Sequence, residues 1–199
     1  RKPPFSVPVM DGIKNIIGTT VNVLYAKGAN ISDDTTLAKK ANVFGERIDI
    51  DKRSPQELIN EAVTTANSAD VIVAVIGEAS EMTGESASRS DIGLPESQRE
   101  LLRALSKTGK PIVLVIMSGR PLTLPWESEM ASSILQVWFP VHEAGNAIAD
   151  VLFGNYNPSG NTTISLPRNV GKIPINYNQQ NTELPLPQAT WKKSTSTYL

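Results

Sequence analysis

Asp70-Val71-Ile72-Val73-Ala74-Val75-Ile76-Gly77-Glu78 is an apolar, mostly β-branched run that ends on a glycine and a carboxylate. It reads as a strand buried on both faces, as in the middle of a parallel sheet. Residues 79–91, Ala-Ser-Glu-Met-Thr-Gly-Glu-Ser-Ala-Ser-Arg-Ser-Asp, continue without apolar period and read as a polar loop. Open parallel sheets place ligand chemistry in loops beyond the carboxyl ends of their strands. Glu78 at the strand tip and Glu85 in the loop are therefore the first carboxylates to question.

The flanking sequence supplies the helices that such a strand needs. Upstream, Ser54-Pro55-Gln56-Glu57 is a capping box with proline at the first helical position. Leu58, Ile59, Ala62, Val63 and Ala66 then recur at helical spacing and make one apolar stripe. Downstream, Leu94-Pro95-Glu96 opens a second helix with Leu101, Leu102 and Leu105 on one face. Residues 111–117 and 134–139 read as two further buried strands, and residues 144–152 as a helix stopped by Gly154. Near the start, residues 10–17 predict a short amphipathic helix ended by Gly18, and residues 21–26 a strand. Residues 31–51 read as loop with one helical turn, and a short strand is expected around residues 162–166. Strands alternating with helices predict an α/β fold, a mainly parallel sheet with helices on both faces.

Bulk properties narrow the function classes. The chain has 199 residues, 40% of them hydrophobic and 20% charged, with a formal net charge of -1. That balance makes no case for nucleic acid or an anionic membrane surface as a partner. No cysteine is present, which excludes disulfides, zinc-thiolate sites and a cysteine nucleophile. No apolar run reaches the roughly 18 residues of a membrane span. His142 is the only histidine, so a serine–histidine triad has no choice of base. No metal-ligand spacing and no glycine-rich phosphate-binding pattern occurs, and no cofactor is expected.

Four ordered motifs make the pattern specific. They are Val75-Ile76-Gly77-Glu78 with Glu85-Ser-Ala-Ser-Arg89-Ser-Asp91-Ile-Gly-Leu94-Pro95; the run from Gly109-Lys110-Pro111 to Ser118-Gly119-Arg120-Pro121; Trp138-Phe-Pro-Val-His-Glu143-Ala-Gly145-Asn146 through Gly154; and Asn157-Pro158-Ser159-Gly160-Asn161 leading to Leu166-Pro167. Together they resemble the second, α/β-sandwich domain of glycoside hydrolase family 3, the β-glucosidase and β-xylosidase group. Residues 25–30, Tyr-Ala-Lys-Gly-Ala-Asn, fit its bacterial periplasmic branch. Val141 and His142 depart from the usual glycine and glutamine of that family, which bears on local loop shape and not on the fold.

The resemblance implies a three-layer α/β sandwich with about six strands over residues 1–187, and a tail or linker over residues 188–199. It further implies that a (β/α)8 barrel, absent from this chain, carries the aspartate nucleophile, so the chain reads as a fragment of a longer enzyme. A periplasmic or secreted location follows from the resemblance alone. The implied activity is exo-hydrolysis of β-linked glucosides or xylosides with retention of configuration, without cofactor. Its partners would be that substrate and the barrel.

A retaining glycosidase needs two carboxyl groups about 5–5.5 Å apart, one as nucleophile and one as acid/base. The resemblance puts the acid/base on this domain, at Glu78, which matches the glutamate after the glycine in the family's acidic loop, with Glu85 on the loop as its rival. Without it, Glu78 is a solvated strand-end acid and Glu85 a loop partner of Arg89. Arg89 and Asp91 are expected to shape the loop through an ion pair or to contact sugar, and Arg120 to act as a structural clamp or to face the cleft. Trp126, Trp138 and Trp191 are either a stacking platform or core. The rival reading of the whole chain is a carbohydrate-binding or interdomain packing module without activity.

Overall fold

The computed structural model describes residues 6–39, 47–84 and 88–174. Helix α1 (Val9–Ile17) is followed by α2 (Thr35–Lys39) and α3 (Pro55–Asn67), then strand β1 (Ile72–Gly77). Next come α4 (Glu96–Ser106), β2 (Ile112–Met117), α5 (Pro125–Met130), β3 (Ser133–Gln136) and α6 (Ala144–Leu152). The three strands lie in the order β1-β2-β3, and both pairings are parallel. The chain is thus α/β with a parallel sheet.

Alternation along β2 explains the layers. Ile112, Leu114 and Ile116 point to one face, into a core with Ala62 and Ala66 of α3 and Leu101, Leu102 and Leu105 of α4. Val115 and Met117 point to the other face, where Val9 and Ile13 of α1 and Ile148 of α6 meet them. Helices therefore cover both faces. Helices α1 and α6 can touch because small residues meet: a Cβ on Gly12 would lie 2.1 Å from the carbonyl carbon of Gly145.

Local signals account for the helix ends. Ser54 Oγ accepts from the Glu57 amide at 3.3 Å, and Glu57 Oε2 accepts from the Ser54 amide at 2.8 Å, closing the capping box. The Ser54 hydroxyl donates to Glu57 Oε2 as well, and these bonds hold the Glu57 carboxyl below its usual range. Beside it, hydrogen bonds from the Arg53 side chain and backbone push the Asp51 carboxyl far below the carboxylate range. Helix α1 ends at Gly18 with φ 55°, as its glycine predicts.

Several expectations need correction. The sheet has three strands among the described residues, not about six, and residues 21–26 and 162–166 carry none. Among the described residues β1 lies at an edge of the sheet and β2 at its centre, and β1 is not buried on both faces. Val73 is 37% and Val75 43% exposed, because α1 and α6 cover β2 and β3 and leave the same face of β1 bare. Six apolar residues in a row cannot tell an edge strand from a central one, since neighbours alone decide cover. Strand β3 stops at Gln136, and Trp138 turns the chain with φ 53°. Helix α5, opened by Pro125, lies in a stretch too short to show an apolar period. The tail at 188–199 lies outside the described residues.

Candidate active site

The exit of β1 is built so that only glycine fits. Gly77 has φ 146°, and a Cβ there would sit 1.7 Å from the Met117 carbonyl oxygen. That close approach lets the Glu78 amide donate to Met117 O at 2.9 Å, beyond the last residue pair of β1 and β2. Gln98 of α4 closes the other side. Its Oε1 accepts from the Gly77 amide at 2.8 Å, and its Nε2 donates to the carbonyls of Gly77 and Ile31, each at 2.8 Å. Glu78 therefore leaves a strand end whose backbone is fixed on both sides.

The Glu78 side chain turns inward and is 0% exposed. Two guanidinium groups converge on its Oε1: Arg89 Nη1 donates at 2.7 Å, and Arg120 Nε forms an ion pair at 3.2 Å. Each arginine has a second bond to main chain. Arg120 Nη2 donates to Met82 O at 2.7 Å, and Arg89 Nη2 to Gly93 O at 3.1 Å. Glu78 Oε2 and Arg120 Nε make no hydrogen bond among the described residues. A buried carboxylate needs such charged partners, because isolated burial of a charge is costly. Ser118 Oγ donates to Arg120 O at 2.9 Å and accepts from Gln136 Nε2 at 3.0 Å, which fixes the backbone beneath Arg120.

The remaining candidates separate clearly. Arg89 pairs with Glu78 and not with Asp91, contrary to the expected loop ion pair. Asp91 Oδ1 instead accepts from the Gly93 amide at 2.8 Å, a local turn that occupies it. Glu85 falls within residues 85–87 and lies outside the described residues. Arg120 is the clamp expected of it. Trp126 packs against the larger core, His142 is exposed, and Trp191 lies outside the described residues. Phe139, beyond β3, is 67% exposed, and its ring would meet a Cβ on Gly119.

Sequence reasoning missed three residues. Gln98 reads as an ordinary helix polar residue, yet it is buried and clasps Gly77. Arg99 Nε donates to the fully buried Glu127 at 3.1 Å, while its guanidinium lies against Gly93. The signals available were weak: a glutamine among leucines, and an acid just after a helix-opening Pro125. Beside Arg89 and Met82 a cleft of about 580 Å³ opens, walled also by Ser32, Asp33, Glu81 and Glu96. Its size suits a small-molecule ligand. Among the described residues no group of three or more metal-ligating side chains is close enough to hold an ion.

A parallel α/β domain with a carboxylate-bearing loop at the carboxyl edge of its sheet defines the class. The chain belongs to the family described as glycosyl hydrolase family 3 C-terminal domain, whose model matches residues 2–198. It is 52% identical over 193 residues to the periplasmic β-glucosidase of Salmonella typhimurium, covering 97% of this chain and 25% of that protein. It is 38% identical over 175 residues to a β-xylosidase of Formosa agariphila, covering 88% of this chain and 21% of that protein. Among solved structures, a β-glucosidase from Erythrobacter marinus superposes with a TM-score of 0.76 at 31% identity, covering 99% of this chain and 27% of that one. The chain thus spans about a quarter of the length of these relatives.

Proposed function

We propose that this chain is the acid/base-bearing domain of a periplasmic or secreted retaining β-glycosidase acting on β-linked glucosides, or on xylosides. The nucleophile would come from a (β/α)8 barrel outside these residues. Family membership supports the reaction class, and the first relative, a β-glucosidase, favours glucosides over xylosides.

One observation carries the choice of residue. A general acid must reach the glycosidic oxygen, and the Glu78 carboxylate is enclosed by protein and engaged by two guanidinium groups. Glu85, on the same loop, is then the candidate for acid/base, and Glu78 supports that loop from beneath. In the first step Glu85 protonates the leaving oxygen while the barrel carboxylate attacks the anomeric carbon. In the second step it takes a proton from water, which hydrolyses the glycosyl-enzyme.

Azide rescue tests the assignment in the full-length enzyme. Glu85→Ala should leave glycosylation fast on an aryl glucoside with a good leaving group, and azide should accelerate turnover and yield a β-glycosyl azide. Rescue of Glu78→Ala and not of Glu85→Ala would return the role to Glu78. Unchanged turnover in both variants would favour a packing or carbohydrate-binding module without catalytic part.

A further inference from the structure

We infer that Phe139, Pro140 and Val141 form a docking seat for the domain that precedes this one in the longer enzyme, an apolar contact at the carboxyl edge of the sheet. This deepens the proposed function, because it rests on a second domain outside the chain and not on which glutamate is the acid/base. Phe139 is 67% and Val141 75% exposed, and Pro140 between them is exposed as well. Adjacent apolar side chains left bare in this way mark a surface that another protein surface covers. The backbone is strained to present them. Trp138 stands at φ 53°, an unfavourable region for a bulky residue, and this turn carries Phe139 over the loop that follows β2. A Cβ on Gly119 would lie 2.4 Å from Phe139 Cζ and 2.3 Å from Thr83 Oγ1, so the loops after all three strands meet at the ring. The ring is thus held in place and still open to a partner, which lowers the entropy lost on docking.

The path of the chain selects the occupant. The Val7 amide donates to His142 O at 2.8 Å, and the Gly145 amide donates to Val7 O at 3.0 Å. Residues 6–8 are therefore tied to the loop that carries the seat. The chain spans about a quarter of its relatives, and its family is described as a C-terminal domain, so such an enzyme has further protein on the N-terminal side. That protein is led in beside Phe139 and Val141. A tethered partner docks at high effective concentration, so a small apolar seat is enough. The seat also shares the carboxyl edge with Glu78, where an active site between two domains would form.

Photocross-linking in the full-length enzyme tests this. Phe139→p-benzoylphenylalanine keeps an aromatic ring at the seat, and Tyr156→p-benzoylphenylalanine serves as control, since Tyr156 is 58% exposed beyond the other end of α6. The probe at 139 should join, within one polypeptide, to a peptide on the N-terminal side of this region, and the probe at 156 should not. Links confined to these 199 residues, no link, or a link to a second copy seen as a dimer on a denaturing gel would each overturn the seat. Phe139→Ser combined with Val141→Ser should lower kcat/KM by about 10-fold or more, equally on phenyl β-glucoside and β-glucosyl fluoride, because misaligned domains separate the two carboxyl groups. A loss confined to the phenyl glucoside would make the ring an aglycone contact and overturn the seat. Should the double variant fail to fold, the cross-link decides. An enzyme that forms the link but hydrolyses no aryl β-glycoside would sink the proposed function and leave the seat standing. Azide rescue of Glu85→Ala without the link would sink the seat alone.

Discussion

Arg99 and Glu127 show how much a single pair of side chains is asked to hold. Glu127 is 0% exposed and Arg99 25% exposed, and Glu127 Oε2 makes no hydrogen bond among the described residues. Removing the arginine leaves a buried carboxylate without its cation, which costs about 3–5 kcal/mol. Because Arg99 reaches solvent, Arg99→Ala is expected to destabilise by about 3 kcal/mol, the lower end of that range. Replacing both partners with apolar residues, Arg99→Met with Glu127→Leu, should restore most of it, and urea unfolding of the three proteins checks both. At this scale the sequence was legible in part. Gly77 and Glu78 stand out because a glycine and an acid end an apolar run. The partner of Arg89 was not legible. Asp91 is two residues away and Glu78 eleven, and only the fold shows that the Gly93 amide already occupies Asp91.

At the scale of elements, α3 is the segment whose boundaries follow from its own residues. Ser54→Ala removes the two bonds made by the Ser54 hydroxyl, leaves the backbone amide of residue 54 to donate to Glu57, and should destabilise the chain by about 1 kcal/mol near neutral pH. The Glu57 carboxyl is held below its ordinary value of 4.5 by the Ser54 hydrogen bonds. A folded-state value below the unfolded one contributes stability that is present above about pH 4.5 and lost as pH falls through the folded value. The gap in stability between Ser54→Ala and the parent chain should therefore be largest above about pH 5 and narrow on acidification below about pH 4.5. Unfolding curves at neutral and acid pH measure the gap; a gap that widened in acid would refute the capping account. Strands were less legible than this helix. Residues 21–26 alternate like a strand, but a strand exists only where another lies beside it, and the described residues provide none.

For the molecule as a whole, the helical layers and parallel sheet are what the alternating pattern predicts, while the extent of the sheet is not. The bare valines of β1 mark where cover on one face runs out. The chemistry makes a matching demand. Retention requires a second carboxyl group about 5–5.5 Å from the acid/base, and the reading given above places it on a barrel outside this chain. The purified 199-residue chain is therefore expected to fold and to leave aryl β-glucosides intact. Turnover that co-purifies with the chain and vanishes in Glu85→Ala would put the nucleophile within these residues.

The bonds from Arg120 to Met82 and from Arg89 to Gly93 end on carbonyl oxygens, so they take no notice of which side chains those positions carry. Any residue that keeps the backbone path at positions 82 and 93 presents the same acceptor to each arginine. Sequence drift at those two positions would leave both bonds in place, while Gly77, Gln98 and the two arginines stay put.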